Sequence, residues 1–367
     1  IMEPTSTSGA ATDGKSSTER AEDGKSEAKE FIKPEKKITS VFGLATFKAS
    51  KAKSKIMTFI ESVSRQIQGI ELCKVSVGDA PKPIQTLCEA LEEMCSWLKD
   101  FPPIQQPMRF GNKAFRQWHA QLLKKVDLIV AAVIGEDLTK QGATLELATY
   151  LQASFGNPTR IDYGTGHELN FIAFLCCLAD LGVVDQDRDG PFIALAAFQK
   201  YMLVMRELQI VYWLEPAGSK GVWGLDDYNF LPLLWGAAQH VTDRGKELTS
   251  ELQRIKPSAI HNADAKQDMP AKSLYFAAVR FVCKVKTGHL SEHSPILNDI
   301  SGVATWRKVH SGLLRMYEAE VLGKFPIMQH FFFGSILSLD KAASNTGRNR
   351  IPFGKASVAA PKIAGKK

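Results

Sequence analysis

The stretch RIDYGTGHELNFIAFLCC, residues 160–177, changes from charged residues and glycines to a continuous apolar run. Gly164 and Gly166 suit a chain that turns through backbone angles which other residues resist. Apolar residues then recur every three or four positions, and Gly182 stands where a left-handed cap would end a helix. The stretch therefore predicts a loop that leads into an α-helix, whose apolar face carries Phe171, Phe174, Leu175 and Leu178.

The polar residues before this helix have two interpretations. Thr165 and Glu168 fit a capping box, in which the Thr165 hydroxyl accepts the amide of Glu168 and the Glu168 carboxylate accepts that of Thr165. Alternatively, the exposed amides at the helix start form, together with Arg160, a binding site for phosphate or carboxylate. The local pattern favours the cap and leaves the anion site open.

Helical periodicity continues along most of the 367 residues. Five further apolar stripes repeat every three or four positions, and no segment alternates convincingly in the way that strands do. These stripes run over residues 56–67, 84–98, 115–129, 195–208 and 309–321. We therefore predict an all-α fold, with one large helical domain over residues 38–340.

The two ends of the chain differ from this domain in composition. Residues 1–37 are polar and low in complexity, whereas residues 341–367 carry seven Lys or Arg and no acid. Both segments are predicted to be disordered, because they bury too little apolar surface to offset their ordering entropy. The net charge of +7 thus belongs to the tail, since residues 38–340 carry 32 basic and 31 acidic side chains.

This charge distribution bears on the class of partner. A nucleic-acid-binding domain would carry its basic residues on a folded surface, and the predicted domain is nearly neutral. No apolar run approaches the roughly 18 to 20 residues that a membrane span requires. We therefore expect a cytoplasmic protein, with a nuclear location as the alternative, and neither a nucleic acid nor a membrane as its partner.

A second unusual loop is EPAGSKGVWGLDDYNFLPLLWG, residues 215–236. Its glycine spacing matches neither a phosphate-binding P-loop nor the dinucleotide fingerprint. Asp226 or Asp227 either caps the helix that follows or holds Mg²⁺ against a phosphate group. Spacing alone favours the cap.

A third stretch, KFPIMQHFFFGSIL at residues 324–337, places His330 directly before three phenylalanines. Phe331 to Phe333 are either buried core residues or an aromatic wall for a ligand ring, with His330 at its rim. Further glycine-bearing polar loops lie at 107–118 and 285–294. Together these glycine-bearing loops exceed what plain helix connections require, and they predict a cleft.

Five motifs resemble one known family. They are FGNKAFR (110–116), RIDYGTGHE (160–168), EPAGSKGVWGLDD (215–227), KTGHLSEHS (286–294) and KFPIMQHFFFG (324–334). In this order and spacing they are similar to the phosphotyrosyl phosphatase activator family, whose members are activators of protein phosphatase 2A and peptidyl-prolyl isomerases. The resemblance covers about residues 40 to 340, and it departs at His289 and Leu290, where the family usually has proline and phenylalanine.

The resemblance implies an all-helical fold of core, linker and lid around a deep cleft that takes ATP and Mg²⁺. Carried over by motif, the nucleotide contacts are Arg160, Thr165, Gly166, Gln329 and His330. The magnesium residues are Gly221 and Asp227, with Asp226 as a second candidate, and the isomerase candidates are Trp223 and His330. The implied partners are the phosphatase 2A catalytic subunit, alone or with its scaffold subunit, and a proline-containing peptide. Whether such a peptide bridges two copies into a dimer stays open.

The implied activity needs no nucleophile. Isomerising a peptidyl-prolyl bond breaks no covalent bond, and the enzyme has to favour a twisted amide over a planar one against a barrier of about 18 to 20 kcal/mol. We expect Trp223 and Phe331 to Phe333 to form an apolar floor for the proline ring. The expected function is activation of the phosphatase catalytic subunit to its metal-loaded state. The alternative is a non-catalytic phosphatase-binding chaperone whose isomerase activity is incidental.

Overall fold

The computed structural model describes residues 30–107, 110–218, 221–242 and 250–342, together with Ile1 and Leu248. From Phe31 onward the chain forms one compact unit. The predicted leader and tail lie outside the described residues over 2–29 and 343–367. The predicted division into core, linker and lid stays a prediction.

The described residues are mostly helical, which confirms the predicted all-α class. The α-helices are α1 Gly43–Lys48, α2 Lys51–Gln66, α3 Lys82–Ser96, α4 Phe115–Ile134, α5 Glu136–Lys140, α6 Thr144–Gln152, α7 Thr165–Asp180, α8 Gly190–Phe192, α9 Gln199–Tyr212, α10 Leu231–Gln239, α11 Ala263–Asp268, α12 Leu274–Val285, α13 Leu290–His293, α14 Pro295–Ser301, α15 Trp306–Tyr317 and α16 Phe325–Met328. Two π-helical segments, Ile193–Phe198 and Glu318–Leu322, continue from α8 and α15. None of these helices is both long enough and apolar enough to cross a bilayer.

Four two-residue strands form two small sheets within the described part of the chain. They are β1 Glu35–Lys36, β2 Asp162–Tyr163, β3 Glu215–Pro216 and β4 Phe332–Phe333. β1 pairs antiparallel with β4, and β2 pairs parallel with β3. The β2–β3 pair therefore joins the two polar loops that the sequence singled out.

β1 corrects the predicted leader boundary. Residues 35–36 fall inside the segment 1–37, which was predicted to be disordered, yet they pair with Phe333 and Phe332. Strand pairing between positions almost 300 residues apart leaves no trace in local composition, so the prediction ended the leader too late. The described fold begins before the predicted domain boundary at residue 38.

Helix α7 lies at the centre of the unit. It contacts α2, α6 and α16, and its side chains from Glu168 through Leu178 are all buried. A helix that is apolar on every side belongs in a core, where each large side chain stabilises the fold by about 1.5–3 kcal/mol. As predicted, the helix ends near Gly182, which has a φ of 71° just after the last turn.

Aromatic contacts hold α7 against its neighbours. Phe171 stacks on Tyr201 of α9 with ring centroids 3.9 Å apart, and Phe198 meets Trp235 of α10 edge to face at 4.9 Å. Such pairs contribute about 0.5–1.5 kcal/mol beyond the area that they bury. The Phe171 and Phe198 rings lie 6.4 Å apart, so these contacts tie α7 to α10.

His240, directly after α10, ties the remaining helices to this core. Its Nδ1 lies 2.7 Å from the Leu252 carbonyl and its Nε2 lies 2.8 Å from the Ser273 hydroxyl, while its ring stacks on Trp306. Burial lowers the pKa of His240 to about 4, so the ring is neutral at physiological pH. A neutral ring can donate from one nitrogen and accept at the other, which both contacts require.

Candidate functional site

A cavity of about 1150 Å³ opens at the start of α7. It is bounded by residues 156–170, by segments of 217–230, by the π-helical segment after α15 and by α16 with the residues up to β4. Ligand sites commonly measure about 300–1,000 Å³, so this cavity is large enough for a nucleotide-sized molecule. Three of the five sequence motifs meet in it.

The cavity brings together eight of the nine residues predicted for the site. Those that line it are Arg160, Thr165, Gly166, Trp223, Asp226, Asp227, Gln329 and His330. Gly221 is not among the described residues that line it, although Gly224 is. A role for Gly221 at a metal stays a prediction.

Arg160 is held at the cavity wall by its own loop. Its Nε and Nη2 donate to the two oxygens of Asp162, at 2.5 and 3.1 Å, and about half of its side chain is exposed. The side chain of Asn157 accepts the amides of Thr159 and Arg160 at 2.9 Å each. A guanidinium has five N–H donors, so the pair with Asp162 leaves further donors for a ligand.

The motif at residues 110–116 stabilises this loop through hydrogen bonds. Arg116, in α4, donates from Nε to the Pro158 carbonyl at 3.0 Å and from Nη2 to the Thr159 carbonyl at 3.2 Å. The buried Asn112 exchanges hydrogen bonds with the backbone of Ile104. This motif therefore shapes the site without lining the cavity.

The start of α7 differs from the predicted capping box. Gly164 is the N-cap, and its amide donates to Nδ1 of His167 at 3.2 Å. Only glycine fits there, because a Cβ on Gly164 would lie 2.9 Å from the Ala217 carbonyl oxygen beside β3. Thr165 and Gly166 thus occupy the first helical turn, where amides have no partner within the helix.

His167 is neutral in this position. Burial, reinforced by the charge of Arg160, lowers the pKa of His167 to about 3. Because Nδ1 accepts the Gly164 amide, the ring proton lies on Nε2. The His167 side chain, like Thr165 and Gly166, lines the cavity.

Glu168 caps a different helix from the one predicted. Its Oε2 accepts the amides of Phe230 and Leu231, at 2.9 and 3.1 Å, and its Oε1 accepts the Asn229 side-chain amide at 3.1 Å. The Glu168 cap on α7 and the Asp226 or Asp227 cap on α10 are therefore both wrong predictions. The partner of Glu168 comes from a loop about 60 residues away, which no local motif reveals.

The pKa of Glu168 reflects two opposing effects. Complete burial raises it to about 8, while the hydrogen bonds from Leu231, Phe230 and Asn229 work in the lowering direction. A carboxyl group without a nearby cation in the protein interior keeps its proton more readily than in water.

Asp226 and Asp227 have separate contacts. Oδ2 of Asp226 accepts the amides of Tyr228 and Asn229, at 3.3 and 2.8 Å, which fixes the turn before α10. Burial raises the pKa of Asp226. Oδ2 of Asp227 lies 2.7 Å from Nζ of Lys286, which comes from the motif at residues 286–294.

These carboxylates suit only one kind of metal site. No group of three or more His, Cys, Asp or Glu side chains within the described ranges could hold a metal ion. Magnesium often binds through one or two carboxylates and completes its shell with water and substrate phosphates. Asp226 and Asp227, next to each other on the cavity wall, fit that arrangement and do not fit a cage made of protein alone.

The predicted aromatic wall is only partly present. Phe331 and Phe333 are buried in the core, with their rings 5.2 Å apart, and Phe332 alone of the three lines the cavity. Side chains alternate along a strand, so β4 cannot present all three to the same side. Trp223 lines the cavity with 75% of its surface exposed.

His330 is an exposed residue that lines the cavity, as Phe332 does. Burial lowers its pKa, and the nearby charges of Lys36 and Arg160 act in the same direction. The ring therefore stays neutral near pH 7 and offers one N–H donor.

Sequence reasoning missed two cations of the cavity. Lys36 lines it from β1, with Nζ 5.2 Å from the centre of the Phe332 ring, and Lys324 lines it from the residue before α16. Lys36 belonged to the predicted leader and therefore carried no signal. Lys324 stood within a quoted motif, where its charge could have been considered beside that of Arg160.

Comparison with known proteins agrees with these motifs. The family model described as phosphotyrosyl phosphate activator (PTPA) protein matches residues 34–339. A serine/threonine-protein phosphatase 2A activator 2 from Mycosarcoma maydis is 40% identical over 320 residues, which cover 86% of this chain and 67% of that protein. A phosphatase 2A activator 1 from Yarrowia lipolytica is 39% identical, with 89% of this chain and 75% of that protein covered.

A solved structure shares the fold. The crystal structure of the PP2A phosphatase activator Ypa1 superposes with a TM-score of 0.76 at 30% sequence identity. The match covers 87% of this chain and 98% of that chain. With the family model spanning nearly all of the described unit, this chain belongs to the PTPA family.

Proposed function

We propose that this chain activates serine/threonine protein phosphatase 2A. It acts on the catalytic subunit with ATP and Mg²⁺ to reach the active metal-loaded state, and it has peptidyl-prolyl isomerase activity. Relatives at about 40% identity are named phosphatase 2A activators. The observation that carries the proposal is the gathering of three separate motifs in one cavity, with cationic and carboxylate groups on its wall.

The start of α7 would hold the phosphate groups of ATP. The amides of Thr165 and Gly166 lie in the first turn, where the helix dipole favours an anion. Arg160 adds guanidinium donors that match phosphate oxygens in pairs. Gln329 and His330 line the same cavity and would close the nucleotide site.

Asp227, with Asp226 beside it, would hold magnesium. The bound ion supplies positive charge that neutralises phosphate oxygens near these carboxylates. Lys286 holds the Asp227 carboxylate in place through their ion pair. Asp226 keeps one oxygen on its own turn, so only its other oxygen is suited to a metal or a metal-bound water.

Isomerisation would use the rim of the cavity. Trp223 and Phe332 present apolar faces that can grip a proline ring, and the neutral His330 supplies a donor for the nitrogen of a twisted amide. No group in this arrangement has to act as a nucleophile, because the peptide bond before the proline only rotates and no covalent bond is broken.

One observation favours the chaperone alternative. Trp223, which lines the cavity, and its neighbour Val222 both expose apolar surface, at 75% and 42%. Such a surface can bind a partner protein without any catalysis. Isomerisation of a short proline peptide in the absence of phosphatase separates the two functions, since a chaperone of this kind gives no more than the uncatalysed rate.

The main test is reactivation of metal-depleted phosphatase 2A catalytic subunit by the purified chain, with and without ATP and Mg²⁺. Asp227→Asn removes one charge from the cavity, and Asp127→Asn removes one from the exposed surface of α4 as a matched control. We expect activation to require both nucleotide and metal and to fall at least about tenfold in Asp227→Asn only, since loss of a metal ligand or its partner commonly costs this much. Equal activation by all three proteins, with or without nucleotide, would favour the chaperone.

A further inference from the structure

Glu168 occupies an unusual place between the two groups of site residues. It is fully buried, three residues after Thr165 in α7, and it receives the first amides of α10 from the loop that carries Asp226 and Asp227. One carboxylate thus connects the helix start that faces the cavity with the acidic segment of its wall.

Its hydrogen bonds extend into a buried network. The Asn229 side chain donates both to Glu168 Oε1 and to the Tyr163 hydroxyl, at 3.1 and 2.9 Å. The Tyr163 hydroxyl pairs with that of Tyr201 at 2.9 Å, and Tyr201 donates to the Ser154 carbonyl at 2.7 Å. The network therefore reaches the end of α6, where Gln152 and Ala153 line another side of the cavity.

A third side of the cavity is in contact with the same centre. Phe230, whose amide donates to Glu168, lies edge to face with Tyr317 at a ring distance of 5.3 Å. Tyr317 ends α15, directly before the π-helical segment that supplies Ala319 and Glu320 to the cavity. Its hydroxyl has no hydrogen-bond partner within the described part of the chain.

We infer that Glu168 is a positioning residue that fixes Asp226 and Asp227 relative to the start of α7. It touches no ligand itself, since its carboxylate is enclosed and all of its contacts are internal. The inference rests on the proposed function for the identity of the ligands, namely phosphate at α7 and Mg²⁺ at the aspartates. It goes beyond that function by assigning the spacing between the two subsites to one buried side chain.

The geometry explains why another residue would not serve. A glutamine at 168 keeps the size of the side chain and one acceptor oxygen. Its NH₂ group cannot accept, whereas a carboxyl oxygen can accept even when it is protonated, so the NH₂ faces a donor, either Asn229 or the two backbone amides. Turning the Asn229 amide over would break its hydrogen bond to the Tyr163 hydroxyl, whose own proton goes to Tyr201, so the conflict is relieved by a shift of the turn at residues 226–230 relative to α7. The distance between the two subsites would change while the cavity surface keeps every one of its side chains.

Glu146 provides a matched control. It is equally buried, in α6, and it accepts the amides of Ser335 and Ile336 at 3.1 and 2.7 Å, together with the Ser335 hydroxyl. Neither Glu146 nor this pair of residues lines the cavity. Glu146→Gln thus creates the same kind of donor conflict at a buried carboxylate clamp away from the aspartates.

The first measurement needs no ligand. Amide hydrogen exchange followed by mass spectrometry compares the native protein with Glu168→Gln and Glu146→Gln. We expect exchange over residues 226–231 to rise at least about tenfold in Glu168→Gln only, as a buried donor left without its acceptor implies. Unchanged exchange there would overturn the inference, whatever the cavity binds.

The second measurement separates positioning from stability. In the phosphatase reactivation assay, we expect Glu168→Gln to raise the half-saturating Mg²⁺ concentration at least about tenfold, while saturating Mg²⁺ restores most of the maximal activation. Glu146→Gln should lower thermal stability and leave the Mg²⁺ dependence as it is. An equal Mg²⁺ response in both variants would overturn the assignment of Glu168 to the spacing of the subsites.

Two further outcomes remain decisive. If the native protein activates without ATP or Mg²⁺, the proposed function fails, and the exchange experiment alone decides whether Glu168 positions the acidic segment.

If Glu168→Gln does not fold, Tyr163→Phe replaces it, because this change removes one hydroxyl from the network and no donor from the backbone. Exchange over residues 226–231 that equals the native rate in Tyr163→Phe would then overturn the inference.

Discussion

The two helices that begin at the cavity satisfy their first amides in different ways. α7 is capped by its own chain, through Gly164 and the His167 ring, and keeps Thr165 and Gly166 at the cavity surface. α10 gives its first amides to the buried Glu168 and offers none to the cavity. One helix start is thus available to a ligand, and the other is used inside the protein. The comparison teaches that a helix start becomes a binding site only where the fold leaves its amides unused.

The difference between the two helices depends on the position of α10, and the largest expected effect on stability comes from a substitution at Gly236, in the middle of α10. A Cβ there would lie 2.1 Å from the backbone nitrogen of Tyr275 in α12, so α10 could not keep its position. We expect Gly236→Ala to lower the free energy of unfolding by about 3 kcal/mol or more, as overpacking against rigid backbone implies. Urea unfolding followed by circular dichroism measures this loss. A native-like midpoint would show that α10 is not held as tightly as its contacts indicate.

An effect of intermediate size is expected from the titration of Glu168. Its pKa is raised to about 8 in the folded state from 4.5, so the folded protein binds one more proton than the unfolded chain between these values. The free energy of unfolding therefore falls as pH rises from about 4.5 to about 8, by at most about 1.4 kcal/mol per pH unit for this group. Above pH 8 this contribution is lost.

The measurement compares the native protein with Glu168→Gln in urea at pH 6.5, 7.0, 7.5 and 8.0. Over this window we expect the native protein to lose about 1 kcal/mol more per pH unit than the variant. The charged or titratable groups that face Glu168 are Asp226, whose pKa burial also raises, and Tyr163, Tyr201 and Tyr317, whose pKa values burial raises well above 10. The tyrosines keep their protons throughout, and parallel curves for the two proteins would contradict the assignment to Glu168.

The smallest effect on stability is expected at Thr165. As the first residue of α7 rather than its cap, it accepts no amide, so Thr165→Ala should change the free energy of unfolding by no more than about 0.5 kcal/mol. Loss of a true N-cap typically costs about 1 kcal/mol. Thermal unfolding of Thr165→Ala beside Ser50→Ala, where the serine does cap α2, provides the comparison. Equal losses in both variants would restore the capping role that the sequence suggested.

Local patterns predicted the helices well. The apolar residues of α7 recur at helical spacing, and Gly182 marks the end, so both are visible within a window of about 20 residues. The same local reasoning failed for Glu168. Its sequence context matches a capping box, but burial gave the carboxylate stronger partners in α10 than its own helix could offer.

The sequence motifs identified residues of the candidate site, but they did not predict its geometry. Arg160, Asp227 and His330 were identified from short segments, and the cavity brings them together. Lys36 could not be identified, because its place depends on the pairing of β1 with β4. The alternation of Phe331 to Phe333 across β4 was likewise hidden, since a strand of two residues has no recognisable period in sequence.

The pairing of β1 with β4 also affects the order in which the molecule can be completed during synthesis. Residues 35–36 emerge from the ribosome long before residues 332–333, and Lys36 cannot take its place at the cavity until its partner strand has been made. Closing so long a loop costs entropy before the contacts between its ends form, so such a pairing forms slowly. A nascent chain that has reached only α12 therefore lacks the cavity wall at residues 316–332 as well as the place for this cation, and the site is finished only when β4 has paired with β1.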